Sequence, residues 1–139
     1  MSDCVFCKII KGEIPSSKVF EDENVYAFLD INPASKGHLL IVPKKHSESL
    51  DELGEQEFSS LFAAIRKIAR ALLESLDNTG FNLLMNSGKD AGQIIPHVHF
   101  HIIPRKKKDG LSISSWPFLK FSGDHLQEIA KSISEHIRD

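Results

Sequence analysis

The chain has only two cysteines in 139 residues, one tryptophan and one tyrosine, and a formal net charge of −2. Two thiols, Cys4 and Cys7, cannot build the dense disulfide framework of a small secreted domain. So small a charge excess leaves no basic field to hold a nucleic-acid polymer or an anionic membrane. No apolar run approaches the roughly 18 residues of a membrane span. The opening stretch "MSDCVFCKIIKGEIP" lacks the charged-then-apolar order of a secretory signal. These absences lead to the expectation of a cytoplasmic protein with reduced thiols. Internal repeats and low-complexity tracts are also missing.

What is present suits one globular domain, 1–139. The hydrophobic fraction of 41% and charged fraction of 26% are ordinary for a chain that buries a single core. "NVYAFLD" (24–30) reads as a strand, ended by the loop signals of "INPASKG". "HLLIVP" (38–43) is a second strand that Pro43 closes. From about Gln56 to Leu76 apolar residues recur at three- and four-residue steps, which predicts a long amphipathic helix. "FNLLMN" (81–86) and "HVHFHII" (97–103) are further strands, separated by the glycine-bearing loop "SGKDAGQ". A last helix carries the stripe Leu126, Ile129, Ala130, Ile133 and Ile137. Strands gathered around one long helix, without regular β-α-β alternation, predict an α+β fold with a mainly antiparallel sheet.

Three of the seven histidines stand at alternate positions of one strand: His97, His99 and His101. Side chains alternate across a strand, so these three share a face, about 7 Å apart. Val98, Phe100 and Ile102 are left for the core. The pattern admits two chemistries. Neutral imidazoles can hold a catalytic metal, or one can act as a nucleophile whose neighbours fix its tautomer and bind an anion. Spacing alone does not choose. The adjacent loop "NSGKDAGQ" offers backbone N–H groups and amides, which suit phosphate oxygens.

With "HVHFHII" preceded by "NSGKDAGQ", and with "CKIIKGEIPSSKVFEDENVYAFLDINPASKGHLLIVPKKH" before both, nearly the whole chain resembles the histidine triad (HIT) family of nucleotide hydrolases and transferases. It is most similar to the branch of purine nucleoside phosphoramidases. The resemblance implies a homodimer with a HIT-like fold that acts on a purine nucleotide, without a catalytic cofactor. It makes His99 the nucleophile at the α-phosphate, forming a covalent nucleoside monophosphate adduct, with His101, His97 and His38 in support. It puts Asn86, Gly92 and Gln93 around the phosphate and Asp30 at the ribose. Phe6, Ile9, Phe28 and Ile31, with Val5, resemble the apolar slot for the base.

Two departures stand out. Leu29 replaces a histidine common at the edge of the slot. Ile94 replaces a serine linked to protonating an amine leaving group, which shifts the expectation toward leaving groups that need less protonation, such as polyphosphates or acyl phosphates. Two rival functions stay open: a metal-dependent hydrolase using the three histidines as ligands, and a nucleotide-binding regulator with vestigial catalysis.

Cys4-x-x-Cys7 lacks the β-α-β context of a thioredoxin-type redox pair. Two inert thiols, or half of a zinc site, remain. His46 and His97 are the candidate partners, as in the related galactose-1-phosphate uridylyltransferases. Such a site would staple the N-terminus to the sheet. "RKKK" (105–108) reads as a solvated basic turn that could draw in an anionic tail. Trp116 is a candidate for a dimer interface or the substrate entrance. His125 and His136 read as surface positions.

Overall fold

A computed structural model describes residues 3–112 and 117–138; Trp116 lies outside the described residues. The elements run α1 (Val5–Ile10), β1 (Lys18–Glu21), β2 (Val25–Leu29), β3 (Leu39–Pro43), α2 (Glu55–Ser75), β4 (Gly80–Leu84), β5 (Phe100–Arg105) and α3 (Gly123–Glu135). Single 3₁₀ turns occupy Leu50–Glu52 and Lys89–Ala91. The five strands form one sheet in the order β1-β2-β3-β5-β4, and every pairing is antiparallel. The α+β expectation holds. Among the described residues no helix is long and apolar enough to cross a membrane.

Alternation along the central strands builds two cores, one on each face of the sheet. Val25, Ala27, Leu39, Ile41, Phe100 and Ile102 meet the apolar stripe of α2, chiefly Leu61, Ala64, Ile65, Ile68 and Leu72. Tyr26, Phe28, Leu40 and Val42 point the other way, onto Phe6 and Ile9 of α1. Each large side chain so buried contributes about 1.5–3 kcal/mol relative to exposure. Glu55 and Glu57 in the first turn of α2 lie where the helix dipole favours anions. On α3 the apolar stripe stays on the surface, with Leu126 and Ile133 exposed, as is Ile137 just past its end.

The strand expected over 97–103 differs at its start. The ladder begins at Phe100, paired with Ile41. Before it, the N–H of His97 donates to the Ile95 carbonyl at 2.8 Å and that of Val98 to the Ser47 carbonyl at 2.8 Å. Once β3 has ended at Pro43, these local bonds replace the ladder. The alternation survives: Val98 and Phe100 belong to the α2-side core, while the rings of His97 and His99 meet Phe6 of α1 at centroid distances of 5.8 and 5.1 Å.

Candidate active site

On the α1 side of the sheet lies a cavity of about 650 Å³, a size that encloses drug-sized ligands. α1 supplies part of its wall through Val5, Phe6 and Ile9. Cys4 caps this short helix, its sulfur accepting the Cys7 N–H at 3.5 Å. Phe6 and Ile9, one turn apart, then face the sheet together. Phe6 meets Phe28 edge to face at 5.6 Å, which gives an apolar slot with aromatic walls. Val5, Phe6, Ile9, Phe28 and Ile31 all line the cavity as expected, Ile31 at its rim and 91% exposed. Asp30 follows β2 at the edge of the slot. One carboxylate oxygen accepts the Asn32 N–H at 2.8 Å, and the other lies 3.5 Å from His38 Nε2.

Hydrogen bonds fix the tautomers of the histidines that reach the cavity. His99 Nδ1 lies 2.8 Å from the carbonyl of His97. A carbonyl only accepts, so Nδ1 carries the proton and Nε2 keeps its lone pair. A second chain of donors starts at the backbone. The Ala34 N–H donates to His38 Nδ1 at 2.9 Å, so the proton of His38 sits on Nε2. That atom faces His101 Nδ1 at 2.9 Å and donates to it, so the His101 proton is on Nε2. Burial, then the neighbouring His99 and His38, pushes the pKa of His101 down to about 4. Burial also lowers that of His38 below its ordinary value, the Asp30 carboxylate partly opposing it. Both rings are therefore neutral near pH 7.

Gly37 allows this placement of His38. Its φ of +92° is left-handed, and an added Cβ would lie 2.5 Å from Leu76 Cδ1. The loop after β4 turns on Gly92, whose φ of +93° is left-handed, with the Asn86 amide in contact range of where a Cβ would stand. Asn86 and Gly92 both line the cavity.

Gln93 does not line the cavity with them. Its Oε1 accepts the Gly88 N–H at 2.8 Å, and its Nε2 donates to the carbonyls of Glu48 and Ile95 at 2.6 and 3.0 Å. The side chain ties the loop down, with no polar atom to spare.

The His97 ring does not line the cavity, although its carbonyl meets His99 Nδ1. It is fully buried, and its Nε2 donates to the Pro43 carbonyl at 2.8 Å. Its Nδ1 lone pair faces Cys4 Sγ at 3.4 Å and Cys7 Sγ at 3.7 Å, while His46 Nδ1 approaches Cys7 Sγ at 3.4 Å. The ligand atoms of Cys4, Cys7, His46 and His97 all lie within 4.8 Å of one another. A tetrahedral zinc with ordinary bond lengths holds sulfur and nitrogen about 3.6 Å apart, so the donor set fits that ion. Burial, and then the adjacent Cys4 sulfur, raise the pKa of Cys7; a divalent cation would reverse that balance. His97, His99 and His101 do not converge as one ligand set. A second cluster, Asp30, His38 and His101, also falls within 4.8 Å. Both ring nitrogens of its His38 are already committed to the hydrogen-bond chain.

Residues 11–108 match the HIT domain. The chain belongs to the HIT family. The crystal structure of a HIT family member from Bacillus subtilis is 44% identical and superposes with a TM-score of 0.92, covering 99% of each chain. An adenosine 5'-monophosphoramidase of Candida albicans is 38% identical, over 98% of this chain and 92% of its own. A zinc-bound histidine triad family protein of Mycobacterium smegmatis is 36% identical, with a TM-score of 0.77 over 96% of this chain and 97% of that one. Relatives with hydrolase names thus span almost the whole HIT chain.

Several contributors were not singled out in the sequence. The Ala34 N–H and the carbonyls of His97 and Pro43 are backbone groups that any residue type could supply. Leu84 and Ile103 also line the cavity. Ile103 continues the alternation two residues past His101 and was within reach of that pattern. Leu84 enters only because it stands opposite His101 in the β4–β5 register.

Proposed function

We propose that this HIT protein is a nucleotide hydrolase or transferase that releases a nucleoside monophosphate, AMP, from an activated phosphorus through a covalent His99 intermediate. One observation carries the reading: the His99 Nδ1 proton is held by the His97 carbonyl, which leaves Nε2 as a lone-pair nitrogen in a nucleotide-sized cavity. The base enters between Phe6 and Phe28, and the Asp30 carboxylate accepts from the ribose hydroxyls. The α-phosphate then rests against His99, with the Asn86 amide and the Gly92 turn beside it. His99 Nε2 attacks phosphorus, the N–P bond forms, and the bond to the leaving group breaks. The His101 Nε2–H, oriented through His38 and Ala34, hydrogen-bonds the phosphate oxygens as charge builds on them. Water attacks the adduct on the same face, the N–P pair returns to Nε2, and AMP leaves. The regulator reading predicts binding without an adduct.

The same proposal gives Cys4, Cys7, His46 and His97 to a structural zinc. When bound, the ion ties α1 to the sheet and takes no part in the reaction. The test of the function is His99→Ala assayed on adenosine phosphoramidate: turnover falls to background while AMP binding persists. Undiminished turnover in that variant would remove the proposed nucleophile.

A further inference from the structure

We propose that Cys4 and Cys7 form an oxidative modification site: a hydroperoxide joins their sulfurs in a disulfide, displaces the bound zinc and loosens the nucleotide cavity. The inference rests on the zinc reading above and gives that cluster a chemistry of its own.

The cluster reaches from the core to the surface. His97 is fully buried, whereas Cys7 and His46 are half-buried. A cleft of about 290 Å³, lined in part by Asp3, Cys4, His46 and Glu48, adjoins it and has room for a molecule as small as hydrogen peroxide. The two sulfurs are already neighbours. Cys4 Sγ accepts the Cys7 N–H at 3.5 Å, and the ligand atoms of the whole cluster lie within 4.8 Å of one another. Residues three apart on a helical turn hold their Cα atoms about 5 to 6 Å apart, inside the range that a disulfide spans. Side-chain rotation alone closes the bond.

The chemistry balances with the peroxide as oxidant. Cys7, the more exposed sulfur, attacks one peroxide oxygen; the O–O bond breaks, and its electron pair leaves on the other oxygen, which becomes water on protonation. Cys4 then attacks the sulfenic sulfur of Cys7, the S–O bond breaks, and a second water departs. Two thiolates, one hydrogen peroxide and two protons have become one disulfide and two waters. A disulfide sulfur is no thiolate ligand, so zinc is no longer held.

The exchange changes which parts of the chain are tied together. Metal ligation joins Cys7 to His46 and Cys4 to His97, partners 39 and 93 positions apart. The disulfide joins neighbours within one turn of α1. A cross-link between elements thus becomes a small local ring, which constrains little of the chain.

Oxidation also removes a donor. His97 Nε2 gives its proton to the Pro43 carbonyl, so Nδ1 is an acceptor, and the Cys4 S–H serves it at 3.4 Å in the reduced chain. A disulfide has no S–H, and His97 Nδ1 is left buried without a partner. The His97 carbonyl is the group that holds the His99 Nδ1 proton. Phe6 and Ile9, which wall the base slot, stand on the same short helix as the cysteines. Both the slot and the nucleophile therefore feel the change.

The test compares three samples of the chain: as purified without chelator, stripped of zinc under a thiol reductant, and treated with hydrogen peroxide. Peroxide should release about one equivalent of zinc to a chromogenic chelator, in step with a Cys4–Cys7 disulfide seen by peptide mass spectrometry. AMP affinity by calorimetry should fall at least about tenfold on oxidation, the factor that one lost aromatic contact carries. It should fall less in the stripped sample, whose Cys4 still serves His97. Dithiothreitol with zinc should restore it, which oxidised methionine would not allow. Zinc retained under peroxide, zinc released without the disulfide, or equal AMP affinity in all three samples overturns the inference alone. Less than about a tenth of an equivalent of zinc in the protein as purified overturns the zinc reading and this inference with it. No AMP binding before oxidation overturns the nucleotide reading, and the loosened cavity falls with it.

Discussion

Two conservative replacements of His38 separate the two hydrogen bonds that orient His101. In the wild type Nδ1 of His38 accepts from Ala34 and Nε2 donates to His101 Nδ1, both at 2.9 Å. Asparagine places an oxygen near the Nδ1 position and nothing at Nε2, so His38→Asn keeps the Ala34 bond and loses the donor to His101. Glutamine places its terminal amide near the Nε2 position, so His38→Gln keeps the donor and loses the acceptor for Ala34. Each variant loses one net hydrogen bond of about 0.5–1.5 kcal/mol, and the partner left behind, exposed Ala34 or half-buried His101, can turn to water. Their stabilities should therefore be close, both roughly 1 kcal/mol below wild type in urea unfolding. Their activities should not be close. Only His38→Asn frees the His101 proton to move to Nδ1, which turns a lone pair rather than an N–H toward the phosphate. Losing a donor on the developing charge costs about 2.7–4 kcal/mol, or 10²–10³-fold in kcat. His38→Gln should retain most of that factor. Imidazole ¹⁵N shifts should report Nε2–H at His101 in the wild type and in His38→Gln. Equal kcat in the two variants, or Nδ1–H at His101 in the wild type, would refute the tautomer argument.

Other outcomes follow from the same structure. His101 has a folded pKa of about 4 against an ordinary value of 6.5. As pH falls below 6.5 the unfolded chain takes up a proton that the folded ring refuses, so stability declines until about pH 4. At pH 5 that one group costs about 2 kcal/mol, and His101→Gln should show a shallower loss between pH 7.5 and 5 in thermal melts. Protein purified without chelator should carry about one equivalent of zinc. Cys4→Ser should lose it and raise KM more than it lowers kcat, because Phe6 and Ile9 hang on the same short helix; less than about a tenth of an equivalent in the wild type would remove the staple. A homodimer is expected through β4, whose outer edge is unpaired among the described residues and whose exposed Phe81 and Leu83 share a side of the sheet with the exposed Phe58 and Phe62 of α2. Sedimentation should give twice the 15.6 kDa chain mass, and a monomer at micromolar concentration would contradict it.

The sequence was most legible where one period governs a long element. The α2 stripe and the β2 and β3 strands lie within a residue or two of their expected bounds, because burial on one face enforces the period. The histidine alternation put all three rings on the α1 side of the sheet, but only His99 and His101 reach the cavity. α1 was not readable: six residues hold too few turns for a period, and a cysteine takes the place of the usual cap. Neither was β1, a four-residue edge strand of two charged and two apolar residues with a shifted register against β2. The site was half legible. Residue type and order brought the four metal-type ligands together as expected. The division of labour within the triad depends on which nitrogen meets which backbone carbonyl, and no spacing encodes that. Gln93 illustrates the same limit: an amide suits a phosphate or a loop brace equally well until its partners are known.

The central claim is a transient bond between phosphorus and one ring nitrogen. Rapid quenching of the protein with excess adenosine phosphoramidate, followed by peptide mass spectrometry under neutral conditions, tests it most directly. An AMP adduct confined to His99, and absent from His99→Ala, is the predicted result. Steady turnover with the adduct on another residue, or with none on any, would contradict it.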